Sequence, residues 1–258
     1  MRKIIIILIL FLTPSALCAQ FTDGLFQYGG TVGGPLKQII IIVRQIHDPS
    51  DVHKDIAWFD TIGRITKKAF DMEGTWVTNA VYKYTDQNAC WCYQYDENGN
   101  LDSHSKKIIF DSNGREFVTF YYHKDHLTRV DSIVYDQNGN IIEKYASPYG
   151  ERIPQLEVVY AYDSIGRLVK EHNLKQQTGY TITYLPNNNY NKQHFDITGN
   201  TYTEECVINK KGQLVLEKSK QLVSKYSSYD KYGNWHKRES TMCEYGSITE
   251  RKIEYYKK

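Results

Sequence analysis

The chain has 258 residues, 41% hydrophobic and 24% charged, which excludes a disordered polymer and leaves room for one large domain or two small ones. Lysine and arginine number 32 against 30 aspartates and glutamates, so no electrostatic footprint points to nucleic acid or an acidic membrane surface. Tyrosine is in conspicuous excess, 22 residues beside 9 Phe and 4 Trp, and its apolar ring with a polar tip suits strands with half-wet faces.

Residues 1–19 read as a signal peptide. Arg2 and Lys3 give the positive start, Ile4 to Leu12 an apolar centre too short to span a bilayer comfortably, and Ser15 to Ala19 the small-residue end. Cleavage after Ala19 leaves Gln20 first and implies export, to the periplasm, the outer surface or the medium. Cys18 hints at lipid attachment, but Leu17 stands where such a signal wants a small residue, so a plain exported chain without a transmembrane segment is expected. Export permits disulfides among the four remaining cysteines, Cys90, Cys92, Cys206 and Cys243. Cys90 and Cys92 share one face of a strand and would bond other strands rather than each other; buried thiols are the alternative. A metal set would need a second close pair or nearby histidines, so no metal and no cofactor is expected.

Residues 20–37 carry Gly24, Gly29, Gly30, Gly33 and Gly34 and read as a linker or a loosely docked arm; no G-K-S/T ending makes them a phosphate loop. The repeat domain then runs over 38–258. Its first element is the apolar run Ile39-Ile40-Ile41-Ile42-Val43, whose branched side chains suit a well-buried strand, broken by His47 to Asp51.

From Trp58 onward one phrase recurs: an aromatic, an aspartate, two open positions, glycine, then Asn or Arg. Its aspartate–glycine pairs are Asp60/Gly63, Asp96/Gly99, Asp111/Gly114, Asp136/Gly139, Asp163/Gly166, Asp196/Gly199 and Asp230/Gly233, with looser copies at Asp71/Gly74 and Asn209/Gly212. An aspartate at this place accepts hydrogen bonds from backbone N–H groups two residues on, and the glycine takes positive φ, which a residue with a Cβ resists. Each copy is therefore predicted to be a hairpin turn. Weaker turn signals fill the gaps, at Pro186 to Asn189 for example, so that turns fall every 9 to 16 residues with alternating strands between them. In Ile153 to Tyr162, Leu156, Val158, Tyr160 and Tyr162 are placed on one face. The predicted fold is all-β: a long antiparallel meander of about fifteen hairpin-linked strands after Trp58, forming an open sheet curled by its own twist. Such a sheet has two edges. The C-terminal strand is protected by charge, whereas the isoleucine strand is sticky and should be covered by the glycine-rich arm or a second molecule.

The phrase Y-A-Y-D-S-I-G-R-L at Tyr160 to Leu168, and Y-D-Q-N-G-N-I at Tyr135 to Ile141, resemble the YD repeat of Rhs and teneurin-like proteins, and the chain is similar in look to small exported repeat proteins of Bacteroides-like bacteria. The resemblance covers most of the chain after Trp58. It implies repeated hairpins and a cell-surface way of life; in that family long arrays wind into a hollow shell around a toxin domain, which this chain looks too short to close.

Candidate chemistry is sparse. The loops at Asp96 to Asn100 and Asp136 to Asn140 hint at calcium, but glycine is fourth rather than sixth, and the turn accounts for every residue. His123 and His126, with Asp125 between, could share a metal on a turn, but they read first as a solvated hairpin tip. Glu204 and Glu205 point to opposite faces of a strand. The best functional hint is aromatic: Trp76, Trp91 and Trp235 could line a concave face that stacks on sugars or grips a peptide, although cross-strand aromatic pairs serve stability equally. The sequence reading is a non-enzymatic exported repeat module with a protein or glycan partner at the cell surface; its rivals are a glycan-active enzyme with a concave-face site and a fragment of a toxin-delivery shell.

Overall fold

The computed structural model describes residues 35–85, 88–242 and 245–256. The signal peptide, most of the glycine-rich arm and Cys243 lie outside them. Eighteen strands follow one another: β1 Leu36–Gln45, β2 Val52–Phe59, β3 Ile65–Met72, β4 Thr75–Tyr84, β5 Ala89–Tyr95 and β6 Leu101–Phe110. Next come β7 Glu116–His123, β8 His126–Tyr135, β9 Ile141–Ala146, β10 Gln155–Tyr162, β11 Leu168–Asn173 and β12 Thr178–Tyr184. The last are β13 Tyr190–Phe195, β14 Thr201–Ile208, β15 Leu214–Lys218, β16 Leu222–Tyr229, β17 Trp235–Met242 and β18 Tyr245–Tyr255.

Each strand pairs antiparallel with the next, as a meander requires, and β18 pairs antiparallel with β1 from Leu36↔Tyr255 to Gln45↔Ser247. The sheet is thus a closed 18-stranded barrel, not the open curled sheet predicted from the turns. The expected edges do not exist. Ile39 to Val43 lie between β2 and β18, so the run expected to need a cover is paired on both sides. Twist accumulated over so many strands favours closure, and closure satisfies both rows of edge hydrogen bonds.

Register divides the side chains into an inward and an outward set. Ile39, Ile41 and Val43 face inward with Ala57, Phe59, Ile65, Tyr82, Cys90, Cys92 and Ile108, an apolar cluster spanning β1 to β6. From β8 to β17 the inward set adds tyrosine and charge to the apolar residues, including Arg129, Asp131, Lys144, Tyr160, Glu171, Tyr180, Lys192, Glu204, Glu217 and Arg238. The outward wall carries Lys54, Lys67, Lys83, Lys107, Lys170 and Lys225 along the strands. Lys54 pairs there with Asp71 at 2.5 Å, and Lys67 and Lys83 lie over the rings of Trp58 and Tyr93 at 5.0 and 5.2 Å. A bulge between Leu156 and Val158 breaks the simple alternation of β10: Leu156 lies opposite outward Tyr145, while Val158, Tyr160 and Tyr162 stay on the inward side.

Candidate functional site

The turn chemistry supplies the rim. In an up-and-down barrel alternate connections share an end, and those after β2, β6, β8, β10, β14 and β16 are aspartate or asparagine turns. Asp163 shows the pattern: its Oδ1 accepts from the N–H of Ile165 at 3.1 Å and of Arg167 at 2.9 Å, and Gly166 donates back to the Asp163 carbonyl at 3.0 Å with φ +82°. Asn209 makes the same contacts with Lys211 and Gln213. Gly63, Gly74, Gly99, Gly114, Gly139, Gly199, Gly212 and Gly233 also take positive φ. Asp96 and Asp136 turn their Oδ1 to backbone N–H groups two and four residues on, which commits the oxygens that a calcium loop would use. Asp71 departs from the expectation. It lies within β3 and bonds Lys54, because Glu73 and Gly74 alone make that two-residue turn, both with positive φ.

Tyrosines at the strand ends of this rim, the leading aromatics Tyr135, Tyr162 and Tyr229 among them, have a role that the motif does not announce. Tyr84, Tyr135, Tyr162 and Tyr184 each donate a hydroxyl to the carbonyl just after an earlier turn at the same end, at Ile65, Glu116, Ile141 and Leu168, with distances of 3.1, 2.8, 2.8 and 3.1 Å. Tyr229 donates likewise to the Leu214 carbonyl. Where the turn ends in arginine, the guanidinium bonds its own aspartate and lies over that tyrosine: Arg64 over Tyr84 at 4.1 Å, Arg115 over Tyr135 at 4.2 Å, Arg167 over Tyr184 at 3.9 Å. Successive hairpins are thereby clasped around the rim. The arginine that follows the glycine was the local half of that signal; its tyrosine belongs to another hairpin, and Tyr84 and Tyr184 precede turns without the repeat's glycine.

The three tryptophans do not form one face. Trp76, 39% exposed, lies opposite outward Asp71; Trp91 stacks outward between Tyr93 and Tyr122; Trp235 is buried, against Tyr226 and beneath the Arg251 guanidinium at 3.6 Å from its ring. Strand alternation and closure separate them. Burial, then Arg238 nearby, lowers the Arg251 pKa to about 10, which leaves it charged at neutral pH.

Around Trp235 the structure does make a cleft, of about 760 Å³, between the β14–β15 and β16–β17 hairpins. Tyr226, Tyr229, Tyr232 and Trp235 give it aromatic surface; Glu217, Asp230, Lys211 and Lys231 give it charge. Its carboxylates are engaged. Asp230 accepts from the backbone of Tyr232 and Asn234 at 2.8 and 3.0 Å and from the Tyr255 hydroxyl, and Glu217 accepts from Tyr226. Beneath it on the inner wall, ligand atoms of Glu204, Cys206 and Glu217 come within 4.8 Å of one another. The Lys192 ammonium sits 3.7 Å from Glu204 and 4.0 Å from Glu217, so this cluster already holds its cation. Burial pushes the Cys206 thiol up to about 11, with Lys192 opposing. Cys90, Cys92 and Cys206 are all buried thiols, not partners in disulfides; register puts Cys90 and Cys92 beside tyrosines of β4, with no cysteine opposite.

No protein-family profile matches the chain, and no curated protein matches it. Among solved structures it is similar to a porin-like protein from Bacteroides uniformis, at 12% identity and TM-score 0.44, over 85% of this chain and 97% of that one. It is also similar to TcdB2-TccC3-Cdc42, at 12% identity and TM-score 0.37 over 78% of this chain, and to the Photorhabdus luminescens Tc holotoxin pore, at 13% and 0.35 over 74%. The chain spans 12% of the length of each of these toxin chains.

Proposed function

We propose that this protein is an exported, non-catalytic β-barrel that binds a polyhydroxylated ligand, a glycan, in the cleft between the β14–β15 and β16–β17 hairpins. The observation that carries the reading is the lining: four aromatic side chains beside two carboxylates and two lysines, in one cleft on the rim. Apolar rings with a few fixed polar groups are the usual makings of a site for a small ligand. Holding is favoured over hydrolysis because Glu217 and Asp230 already spend their oxygens on tyrosine hydroxyls and backbone, leaving neither poised as acid or base. The wall supports a water-facing barrel. A lysine at a bilayer midplane costs about 2–4 kcal/mol on a lipid-exposed strand, and six outward lysines stand along these strands. The hairpin grammar fits a YD-type repeat, and eighteen strands closing on themselves make a shell without further chains.

Glycan-array screening followed by titration calorimetry tests the reading. Tyr232→Ala should weaken binding about tenfold, equivalent to ~1.4 kcal/mol. An array without hits at millimolar concentration, or an unchanged affinity in Tyr232→Ala, would overturn it.

A further inference from the structure

The rim opposite the cleft carries a second cluster that the binding reading does not use. β6, β7 and β8 are adjacent strands, and register sets His104 opposite His123 and His123 opposite His126. The β7–β8 connection is only Lys124 and Asp125, both at positive φ, and such a two-residue turn holds its flanking residues directly across from each other. All three imidazoles therefore project from one face of three neighbouring strands, with Cβ separations of about 4.5–5.5 Å between opposite partners.

We infer that His104, His123 and His126 form a binding site for a borderline transition-metal dication such as Zn2+. The His104 Nε2 and His123 Nδ1 atoms lie 3.1 Å apart, with ring centroids at 4.6 Å. Two nitrogens each bound at 2.0–2.1 Å to a tetrahedral ion stand about 3.3 Å apart, so a small rotation of either ring admits the metal. The other nitrogen of His104, Nδ1, is 3.2 Å from Asp102 Oδ1. A carboxylate accepting from the far nitrogen fixes the tautomer and aims the near one, which is the usual outer support of a zinc-bound histidine. His126, exposed and directly across from His123, is the proposed third ligand; the three imidazoles do not stand within 4.8 Å of one another as placed, so binding requires its side chain to rotate inward, and water completes the set.

Titration of ZnCl2 into the full chain at neutral pH should show one site. The double variant His104→Gln/His123→Gln should lose it, and Asp102→Asn, which leaves all three imidazoles, should weaken it about 10–100-fold. Thermal melts establish that the variants fold. The inference is overturned if the parent takes up no Zn2+ at millimolar concentration, or if the double variant or Asp102→Asn keeps the parent affinity. Glycan binding at the far rim is scored separately, so the two readings fail independently.

Discussion

Replacing Arg167 by alanine removes one clasp of the rim without touching the core. Its Nε donates to Asp163 at 2.7 Å with side chains 41% and 22% exposed, and its guanidinium lies 3.9 Å from the centre of the Tyr184 ring. A partly exposed ion pair contributes about 0.2–1 kcal/mol and an exposed cation–π contact about 0.5–1 kcal/mol. Arg167→Ala should therefore cost roughly 1–2 kcal/mol, and at about 2–4 °C per kcal/mol for a chain of this size the melting temperature should fall by about 2–8 °C. Tyr184→Phe keeps the ring but loses the 3.1 Å bond to the Leu168 carbonyl, for about 1 kcal/mol. In a double-mutant cycle, Arg167→Ala with Tyr184→Ala should show a coupling of about 0.5–1 kcal/mol by denaturant unfolding. A melting temperature within about 1 °C of the parent for Arg167→Ala, or additivity within about 0.3 kcal/mol, would refute the clasp.

Gly166→Val should cost about 1–2 kcal/mol from backbone strain alone, since φ is +82° and nothing lies within 4 Å of an added Cβ; an unchanged unfolding midpoint contradicts that. Gly179→Ala works by a different cause and should cost about 1–3 kcal/mol, because the new Cβ would meet the Glu171 carbonyl oxygen at 2.2 Å and the Phe195 ring at 2.8 Å. The turn aspartates predict acid sensitivity. Asp96 and Asp163 are held below their usual range first by the backbone N–H groups of Asn100 and Arg167, and Asp136 first by the Asn140 side chain. A depressed folded pKa gives stability that is present above the unfolded value of 3.8 and is lost as pH falls through the folded one. The melting temperature should fall below about pH 4, and one that holds or rises down to pH 2.5 speaks against the turns as described.

The hairpins were legible because a turn is local. Aspartate, glycine and the residue after it state their hydrogen bonds within five positions, as at Asp163 to Arg167. Closure was not legible, because the residues that achieve it, Ile39 and Ile253 for instance, lie at opposite ends of the chain and carry no mark of each other. Charge on β18 read as edge protection, yet Glu250 and Glu254 are partners of Arg44 and Lys37 across the seam. The same non-locality hid the cleft. Trp235 was noticed as an aromatic, but its neighbours Tyr226 and Arg251 come from separate strands, while Trp76 and Trp91 fall on the other face by register. Asp71 misled because it shares the spelling of the repeat without its geometry. The histidine rim was half visible: His123 and His126 stood together in sequence, and only pairing with β6 adds His104.

The closed barrel is tested most directly by amide hydrogen exchange along β1. A strand paired on both sides donates its N–H groups alternately to two neighbours. In the barrel every amide from Ile39 to Arg44 is bonded, half to β2 and half to β18, and all should exchange slowly and with similar protection. In an open sheet the half that faces β18 would meet solvent. Rapid exchange at every second position of Ile39 to Arg44 would contradict the closed ring.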